Sequence, residues 1–138
     1  MKYMILVKAT AESEAGVMPS EKLFAAMATY HEQLTKAGIL VDASGLQRSA
    51  KGWRIKYEGE KRTVVDGPFT ETKELVAGYT VINVSSREEA LEWTRRFPNP
   101  AIDGGVAETE VRRYFELEDF ADSPAIERFR RMEMEKRP

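Results

Sequence analysis

Few side chains in this sequence could carry acid–base or nucleophilic chemistry. There is no cysteine and a single histidine, His31, so thiol nucleophiles, disulfides and thiolate zinc sites are excluded and one imidazole remains. At about 100° per residue, His31 falls about 40° from Met27 and 60° from Leu34, at the border of a helical apolar stripe. A histidine at this border can face a cleft and act as an acid or base. It can equally be a half-buried residue with one structural hydrogen bond.

A second candidate is the carboxylate of Asp66. It ends a predicted strand and is followed by Gly67, which can adopt backbone angles that other residues avoid, and by Pro68, which fixes a turn. A carboxylate at a strand end beside a turn can serve as a general acid or base. It can equally cap the backbone amides of its own turn.

Other kinds of site have weaker sequence support. A Ser–His–Asp assembly would need Ser44, His31 and Asp66 to converge, and nothing in their spacing requires it. One histidine and scattered carboxylates show no dense aspartate loop, so no metal site is predicted. Haem bound through His31 is chemically conceivable, but no motif supports it. The sequence therefore predicts no cofactor.

The elements that must position these residues follow from hydrophobic periodicity. Strand, helix, strand, hairpin, strand, helix and strand are predicted in that order, at residues 3–7, 20–37, 39–43, 53–66, 78–84, 86–97 and 108–117. Ser20 is the expected N-cap of the first helix, and Gly38 its stop. Residues 10–18 are predicted as a loop, and Ser86 with Glu89 as a capping box.

This order predicts an α+β fold, a ferredoxin-like plait of the dimeric α/β-barrel type, with two helices on one face of a mostly antiparallel sheet. The other face of such a sheet must be polar, covered by a partner or used for a ligand. Trp53, Tyr57 and Tyr79 are expected on that bare face. A homodimer joined through the sheets would cover them.

A C-terminal helical extension is predicted after the domain, which divides the chain into residues 1–117 and 118–138. Ser123 and Pro124 form a helix start, and Ile126, Phe129 and Met132 give the helix a thin apolar edge. We expect a short peripheral helix with a frayed end that clamps its own or a partner subunit. Its alternating charge signs are typical of a solvated helix face rather than of a basic nucleic-acid tail.

Charge and hydropathy limit the partners and the compartment. Lys and Arg number 21 against 23 Asp and Glu, a net charge of −2, which excludes a generic polyanion binder, so no direct nucleic-acid contact is predicted. The apolar opening is short and is followed at once by Lys8, unlike a signal peptide, and no run approaches the ~20 apolar residues of a membrane span. We therefore expect a cytoplasmic protein without a membrane partner.

One run of residues is more specific. Residues 64–79, which contain Asp66-Gly67-Pro68-Phe69 and then Glu71-Thr72-Lys73-Glu74, resemble the signature of the YCII-related family in its DGPF-domain branch. Shorter matches at residues 1–4, 36–40, 45–46, 88–93 and 111–116 extend the resemblance over roughly residues 1–120. The family histidine lies further before the helix-ending glycine than His31 lies before Gly38, and Ala43-Ser44-Gly45 replaces a more glycine- and acid-rich stretch.

The resemblance implies a plait that dimerises. It also implies an activity similar to muconolactone-isomerase-like and dehydrochlorinase enzymes with a His–Asp pair, or a regulatory role beside an extracytoplasmic-function sigma factor. We therefore expect a small dimeric ligand-binding protein or a cofactor-independent enzyme that transfers protons as an isomerase or lyase. The alternative is a non-catalytic regulatory or interaction module associated with such a sigma factor.

The predicted catalytic residues are Asp66 and, as an optional partner, His31, in a cleft between the first helix and the sheet. The residues predicted to bind a ligand in this cleft are Gly67, Pro68, Phe69, Ser44 and Trp53.

Overall fold

A computed structural model describes residues 1–136 of the chain. The α-helices and strands in this range are β1 (Lys2–Lys8), α1 (Ala11–Glu14), α2 (Glu21–Lys36), β2 (Leu40–Gly45), β3 (Trp53–Glu58), β4 (Lys61–Asp66), β5 (Val76–Asn83), α3 (Arg87–Arg95), β6 (Thr109–Arg113) and α4 (Pro124–Lys136). Three short 3-10 turns lie at Ser49–Lys51, Thr72–Glu74 and Leu117–Asp119.

Four of the strands form the main sheet, in the order β2-β5-β1-β6, and all neighbours are antiparallel. The helix α2 joins β1 to β2, and α3 joins β5 to β6. This order and these crossovers are those of a ferredoxin-like plait. The predicted fold class is confirmed.

The hydrophobic core lies between α2, α3 and one face of this sheet. Successive strand residues point to opposite faces, so alternate residues of β1 and β5 meet the helices while their neighbours face away. The buried cluster consists of Tyr3, Ile5, Tyr30, Leu34, Ile39, Ile82, Val84 and Ala90. Burial of this face fixes the register of the sheet, since a one-residue slip would expose the whole set.

The helix ends follow the sequence signals, with one correction. The Ser20 side chain accepts the Leu23 N–H, and Gly38 follows α2 with a φ of +75°, a backbone conformation that suits glycine. The Ser86 hydroxyl accepts the Glu89 N–H, as predicted. The return bond of the predicted capping box is displaced, because the Glu89 carboxylate accepts the N–H of Ser85 rather than that of Ser86.

Some predicted boundaries are wrong. The predicted loop at residues 10–18 contains α1, because Thr10 and Ser13 form a reciprocal capping box that stabilises one helical turn. The Ser44-Gly45 pair lies inside β2, and the interruption is a bulge between Leu40 and Asp42. The last strand ends at Arg113, because the chain then leaves β1 and forms the turn Leu117–Asp119.

The hairpin forms a sheet of its own. β3 and β4 pair only with each other over six residue pairs, from Trp53 opposite Asp66 to Glu58 opposite Lys61. The expectation that Trp53, Tyr57 and Tyr79 share one sheet face is therefore wrong, because Tyr79 belongs to β5 of the main sheet. The hairpin is an insertion between β2 and β5.

The C-terminal helix α4 begins as predicted, with the Ser123 hydroxyl accepting the Ile126 N–H at 3.1 Å. It packs against the turn Leu117–Asp119 and leaves Phe129, Met132 and Met134 exposed. The domain boundary after residue 117 stays a prediction and falls inside that turn. The predicted frayed end falls on residues 137–138, outside the described residues. Within residues 1–136, no helix is both long enough and apolar enough to cross a membrane.

Candidate functional site

Asp66 lies at the end of β4, directly opposite Trp53 on β3. Paired residues of an antiparallel ladder point to the same side, so the carboxylate and the indole are neighbours. Both residues are exposed. Within residues 1–136, the Asp66 carboxylate has no hydrogen-bond or ion-pair partner. It is therefore not used to cap the amides of its own turn.

The side of the hairpin that carries Asp66 is otherwise largely apolar. We call this side the hairpin face; its residues are Trp53, Ile55, Tyr57, Arg62, Val64 and Asp66. The exposed fractions are 64% for Trp53, 42% for Ile55, 67% for Tyr57 and 63% for Val64. A contiguous exposed apolar surface of this kind is typical of a binding or association surface.

The turn that follows Asp66 is fixed by close packing. The Gly67 N–H donates to the Gly52 carbonyl at 3.0 Å. A Cβ at Gly67 would collide with the backbone carbonyl of Ser49, so no side chain fits here. Pro68 comes next and is exposed. Gly67 thus holds the chain against the turn Ser49–Lys51 immediately after the catalytic candidate.

A chain of polar contacts holds the same turn from the other side. The Ser49 hydroxyl donates to the Glu14 carboxylate at 2.5 Å, and the Ser49 N–H donates to the same carboxylate at 3.0 Å. The Ser49 oxygen in turn accepts the Phe69 N–H at 3.0 Å. Hydrogen bonds to an ionised carboxylate are the stronger kind. The short helix α1 therefore anchors the Asp66 turn to the body of the domain.

The Phe69 ring does not form a common wall with Trp53. The guanidinium carbon of Arg54 lies 3.8 Å from the centre of the Phe69 ring, a cation–π contact. Arg54 follows Trp53 in β3, and successive strand residues point to opposite faces. Phe69 therefore packs on the Arg54 side of the hairpin, away from the hairpin face.

His31 lies elsewhere, in the layer between α2 and the sheet. Its Nδ1 is 2.7 Å from the Met27 carbonyl oxygen, and its Nε2 is 2.8 Å from the hydroxyl of Thr80, which is 2% exposed. Because a carbonyl can only accept, Nδ1 carries the hydrogen, and in the neutral ring Nε2 accepts from Thr80. Both ring nitrogens are used to join α2 to β5.

Ser44 lies on the opposite face of the sheet from His31. Thr80, which bonds His31, pairs with Ala43, and Ser44 pairs with Tyr79 on the other face. The Ser44 hydroxyl donates to the carbonyl of Gly45. A single chain therefore does not bring Ser44, His31 and Asp66 together. Among the predicted site residues, Trp53 lies beside Asp66, whereas Ser44 and His31 lie apart from it.

The bare face of the sheet carries a polar pair that sequence reasoning missed. The Tyr79 hydroxyl donates to the Asp42 carboxylate at 2.8 Å. This hydrogen bond raises the pKa of Tyr79, since the carboxylate stabilises the protonated phenol. The bulge in β2 aligns the two side chains, and no local pattern in the sequence signals such a cross-strand pair. The anchoring roles of Glu14 and Ser49 are likewise without a local signal.

Two shallow grooves run along α2, and Asp66 lines neither. One, of about 430 Å³, is lined by Ala28, His31, Glu32, Thr35 and Lys36. The other, of about 370 Å³, lies beside Tyr30 and Arg96. In the described part of the chain, no group of three or more His, Asp or Glu side chains is arranged to hold a metal ion.

Known proteins are similar to this chain over different lengths. The family model for the YCII-related domain matches residues 1–115. An uncharacterized protein of Rhizobium meliloti (strain 1021) is 28% identical over 79 residues, which cover 57% of this chain and 64% of that relative, slightly less than two thirds of its length. A solved structure, 5-chloro-2-hydroxyhydroquinone dehydrochlorinase (TftG) from Burkholderia phenoliruptrix AC1100 in complex with 2,5-dihydroxybenzoquinone, is 16% identical with a TM-score of 0.45. That match covers 83% of this chain and 94% of TftG.

Proposed function

Since this chain belongs to the YCII-related domain family, we propose that it binds a small organic molecule at Asp66 and transfers a proton on it. The reaction class is that of an isomerase or lyase without a cofactor. Asp66 is the acid–base residue. His31 is not part of this site within one chain, because both its ring nitrogens are used between α2 and β5.

One observation carries the proposal: the backbone turn that follows Asp66 is fixed by its surroundings, whereas the Asp66 carboxylate has no partner of its own. Gly67 and Phe69 hold the turn through Gly52 and Ser49, while the carboxylate has no bond to the described residues. A site needs its reactive group held in a set geometry by neighbouring contacts. A residue that only completes a turn would use its oxygens on the turn itself.

The chemistry requires no group beyond the carboxylate. An Asp66 oxygen takes a proton from a carbon that lies between a carbonyl and a C=C bond, and the electron pair of that C–H bond moves toward the carbonyl to give a dienolate. The same carboxyl group returns the proton to the far carbon of the original C=C bond, so that the double bond moves into conjugation with the carbonyl and the isomerisation is complete. Trp53, opposite Asp66, offers a flat apolar surface to an unsaturated substrate. In this proposal Gly67 and Phe69 position the turn.

The proposed assembly is a homodimer through the sheets, in the cytoplasm. The bare face of the sheet supports this, because Met4, Leu6 and Tyr79 are only partly buried there. Association with an extracytoplasmic-function sigma factor remains the alternative prediction, and no contact within residues 1–136 favours it over the enzyme.

The test compares wild type, Asp66→Asn and Glu58→Gln in a thermal-shift screen of small metabolites. Glu58 is the matched control, an exposed carboxylate at the far end of the same hairpin. We expect compounds that stabilise wild type and Glu58→Gln but not Asp66→Asn. Deuterium from D2O should enter those compounds, and Asp66→Asn should slow this exchange about 100-fold or more.

Asp66→Asn should also leave the melting temperature of the free protein nearly unchanged, because its carboxylate has no bond to lose. If this variant unfolds, Asp66 is a turn residue and the proposal fails. Unchanged deuterium exchange in a folded Asp66→Asn variant would also overturn it.

A further inference from the structure

We infer that the hairpin face binds an elongated molecule that carries a carboxylate at one end, with that carboxylate on Arg62 and the other end at Asp66. The face consists of three cross-strand pairs, which are, from the strand ends to the turn, Trp53–Asp66, Ile55–Val64 and Tyr57–Arg62. Its two charged side chains therefore lie at opposite ends, with apolar and aromatic side chains between and beside them.

The guanidinium of Arg62 is held in place but is not neutralised. Its carbon lies 4.6 Å from the centre of the Tyr57 ring, and its Nη1 donates to the carbonyl groups of Gly59 and Lys61 at 2.9 and 3.3 Å. None of the ion pairs within residues 1–136 includes Arg62. An exposed, positioned arginine with N–H groups to spare is suited to bind a carboxylate through two parallel hydrogen bonds.

Asp66 sets the orientation of such a ligand. Its carboxylate is exposed and has no cation paired with it among the described residues, so it repels an anionic group at its own end of the face. Arg62 attracts the same anionic group at the other end. Because the two charges cancel over the whole face, net charge selects no ligand, and the selection comes from their separation.

The distance between the two ends sets the length of the ligand. Arg62 and Asp66 are four residues apart on β4, which is about 13 Å at roughly 3.3 Å per residue. An extended chain covers this distance in roughly ten bonds, since the three backbone bonds of a residue span at most about 3.6 Å. Ile55 and Val64, which are 42% and 63% exposed, lie midway and offer an apolar floor to the body of the ligand.

These features together select a carboxylic acid with a linear apolar body. The chemistry of its far end rests on the proposed function, by which the unsaturated ketone that loses a proton to Asp66 lies there. The substrate class is then an unsaturated keto acid whose carboxylate and reacting carbon are roughly ten bonds apart. The binding of the carboxylate end requires no catalysis, so it can be tested separately.

The first test measures the binding of saturated acids that cannot react. Hexanoate, octanoate and decanoate are titrated into the ¹⁵N-labelled protein, and the indole N–H signal of Trp53, assigned with Trp53→Phe, is followed by NMR. All three acids should shift this signal. The Kd should fall about 3-fold or more for each two carbons added, because a longer chain covers more of the apolar floor.

The second test separates the charge of Arg62 from the apolar floor, with octan-1-ol as the uncharged match of octanoate. Arg62→Gln should raise the Kd of octanoate about 5-fold or more and leave that of octan-1-ol within about 2-fold. Lys56→Gln is the matched control, since Lys56 is a cation on the other side of the same hairpin, and it should leave both Kd values within about 2-fold. Asp66→Asn should bind octanoate at least as tightly as wild type.

Three results would each overturn the inference: no shift of the Trp53 signal with any acid, an octanoate Kd that Arg62→Gln leaves unchanged, or an equal loss in Lys56→Gln. A Trp53 signal that moves with protein concentration but not with added acid would also overturn it, because another copy would then cover the hairpin face.

The outcomes for the two proposals are distinguishable. Acid binding that passes both tests, without Asp66-dependent deuterium exchange in an unsaturated keto acid of this length, would overturn the proposed function alone. Asp66-dependent exchange that is confined to uncharged compounds would overturn the present inference alone.

Discussion

Two side chains able to transfer a proton lie in opposite surroundings. His31 is packed between α2 and β5, with both ring nitrogens bonded and the rings of Tyr30 and Phe97 at 5.4 and 6.2 Å. Asp66 stands on the hairpin with its turn fixed and its carboxylate unpartnered. Of the two, only the Asp66 carboxylate has hydrogen-bonding capacity that the described residues leave unused, although histidine is the rarer residue type in this chain.

The largest expected difference between the core, where His31 is packed, and the hairpin, which carries Asp66, is in their contribution to the free energy of unfolding. Leu34 is fully buried in the core, so Leu34→Ala should lower the free energy of unfolding by about 3.5 kcal/mol. Ile55 is 42% exposed on the hairpin face, and Ile55→Ala should cost under about 1 kcal/mol in the monomer. Urea unfolding at low protein concentration measures both. Equal losses would show that the hairpin is as well packed as the core.

A second expected effect is a loss of folding stability at high pH that depends on Tyr30 in the core. Burial raises the pKa of Tyr30 to about 12 from 10.0, so the folded state keeps the phenol protonated after the unfolded chain has ionised it. This stabilisation is complete below pH 10, and roughly 3 kcal/mol of it is lost as the pH rises from 10 to 12. In Tyr30→Phe this part of the decrease in the free energy of unfolding at high pH should vanish. The Trp93 carbonyl loses its donor, at a cost of about 1 kcal/mol at neutral pH.

Unfolding curves of wild type and Tyr30→Phe at several values between pH 8 and 12 check this. Subtracting the free energy of unfolding of Tyr30→Phe from that of wild type at each pH removes the contribution of Tyr79, whose pKa is also raised. A difference that stays constant across this range would mean that Tyr30 is not protected from ionisation.

The smallest expected effects are those of His31→Asn, and they distinguish the role of His31 from that of Asp66. His31→Asn should lower the free energy of unfolding by about 1.5 kcal/mol, because the buried Thr80 hydroxyl loses its partner. Any Asp66-dependent exchange should fall less than 3-fold. The control is Glu32→Gln on the exposed side of α2, which should be neutral in both measurements. A loss of exchange as severe as that of Asp66→Asn would place His31 in the site.

The fold could be predicted because its determinants are local. The apolar stripe of α2, the Ser20 cap and Gly38 define the first helix, and the alternation along β3 and β4 defines the hairpin. The short helix α1 was missed because its capping box of Thr10 and Ser13 lies in small polar residues that also suit a loop. The extent of β6 was overestimated because alternation continues past Arg113, where the partner strand β1 begins and the ladder has no further partner.

The site could be predicted only in part. Asp66 and its turn stand out from Gly67 and Pro68, and the pairing with Trp53 follows from the hairpin register. The contacts of Glu14 with Ser49, and of His31 with Thr80, join residues that are 35 and 49 positions apart. Such contacts depend on the docking of whole elements. For the same reason, no periodicity could show that Ser44 and His31 lie on opposite faces of the sheet.

The insertion has a consequence for how this fold can diversify. β2 and β5 are adjacent antiparallel strands, with Gly45 opposite Gly78, so residues 46–75 amount to one long loop of a hairpin within the plait. A short turn could replace that loop and leave every strand of the main sheet with its neighbours. Duplication and drift could therefore lengthen, shorten or replace the segment that carries Asp66 without disturbing the core. Members of such a lineage would share a scaffold while differing in what they bind.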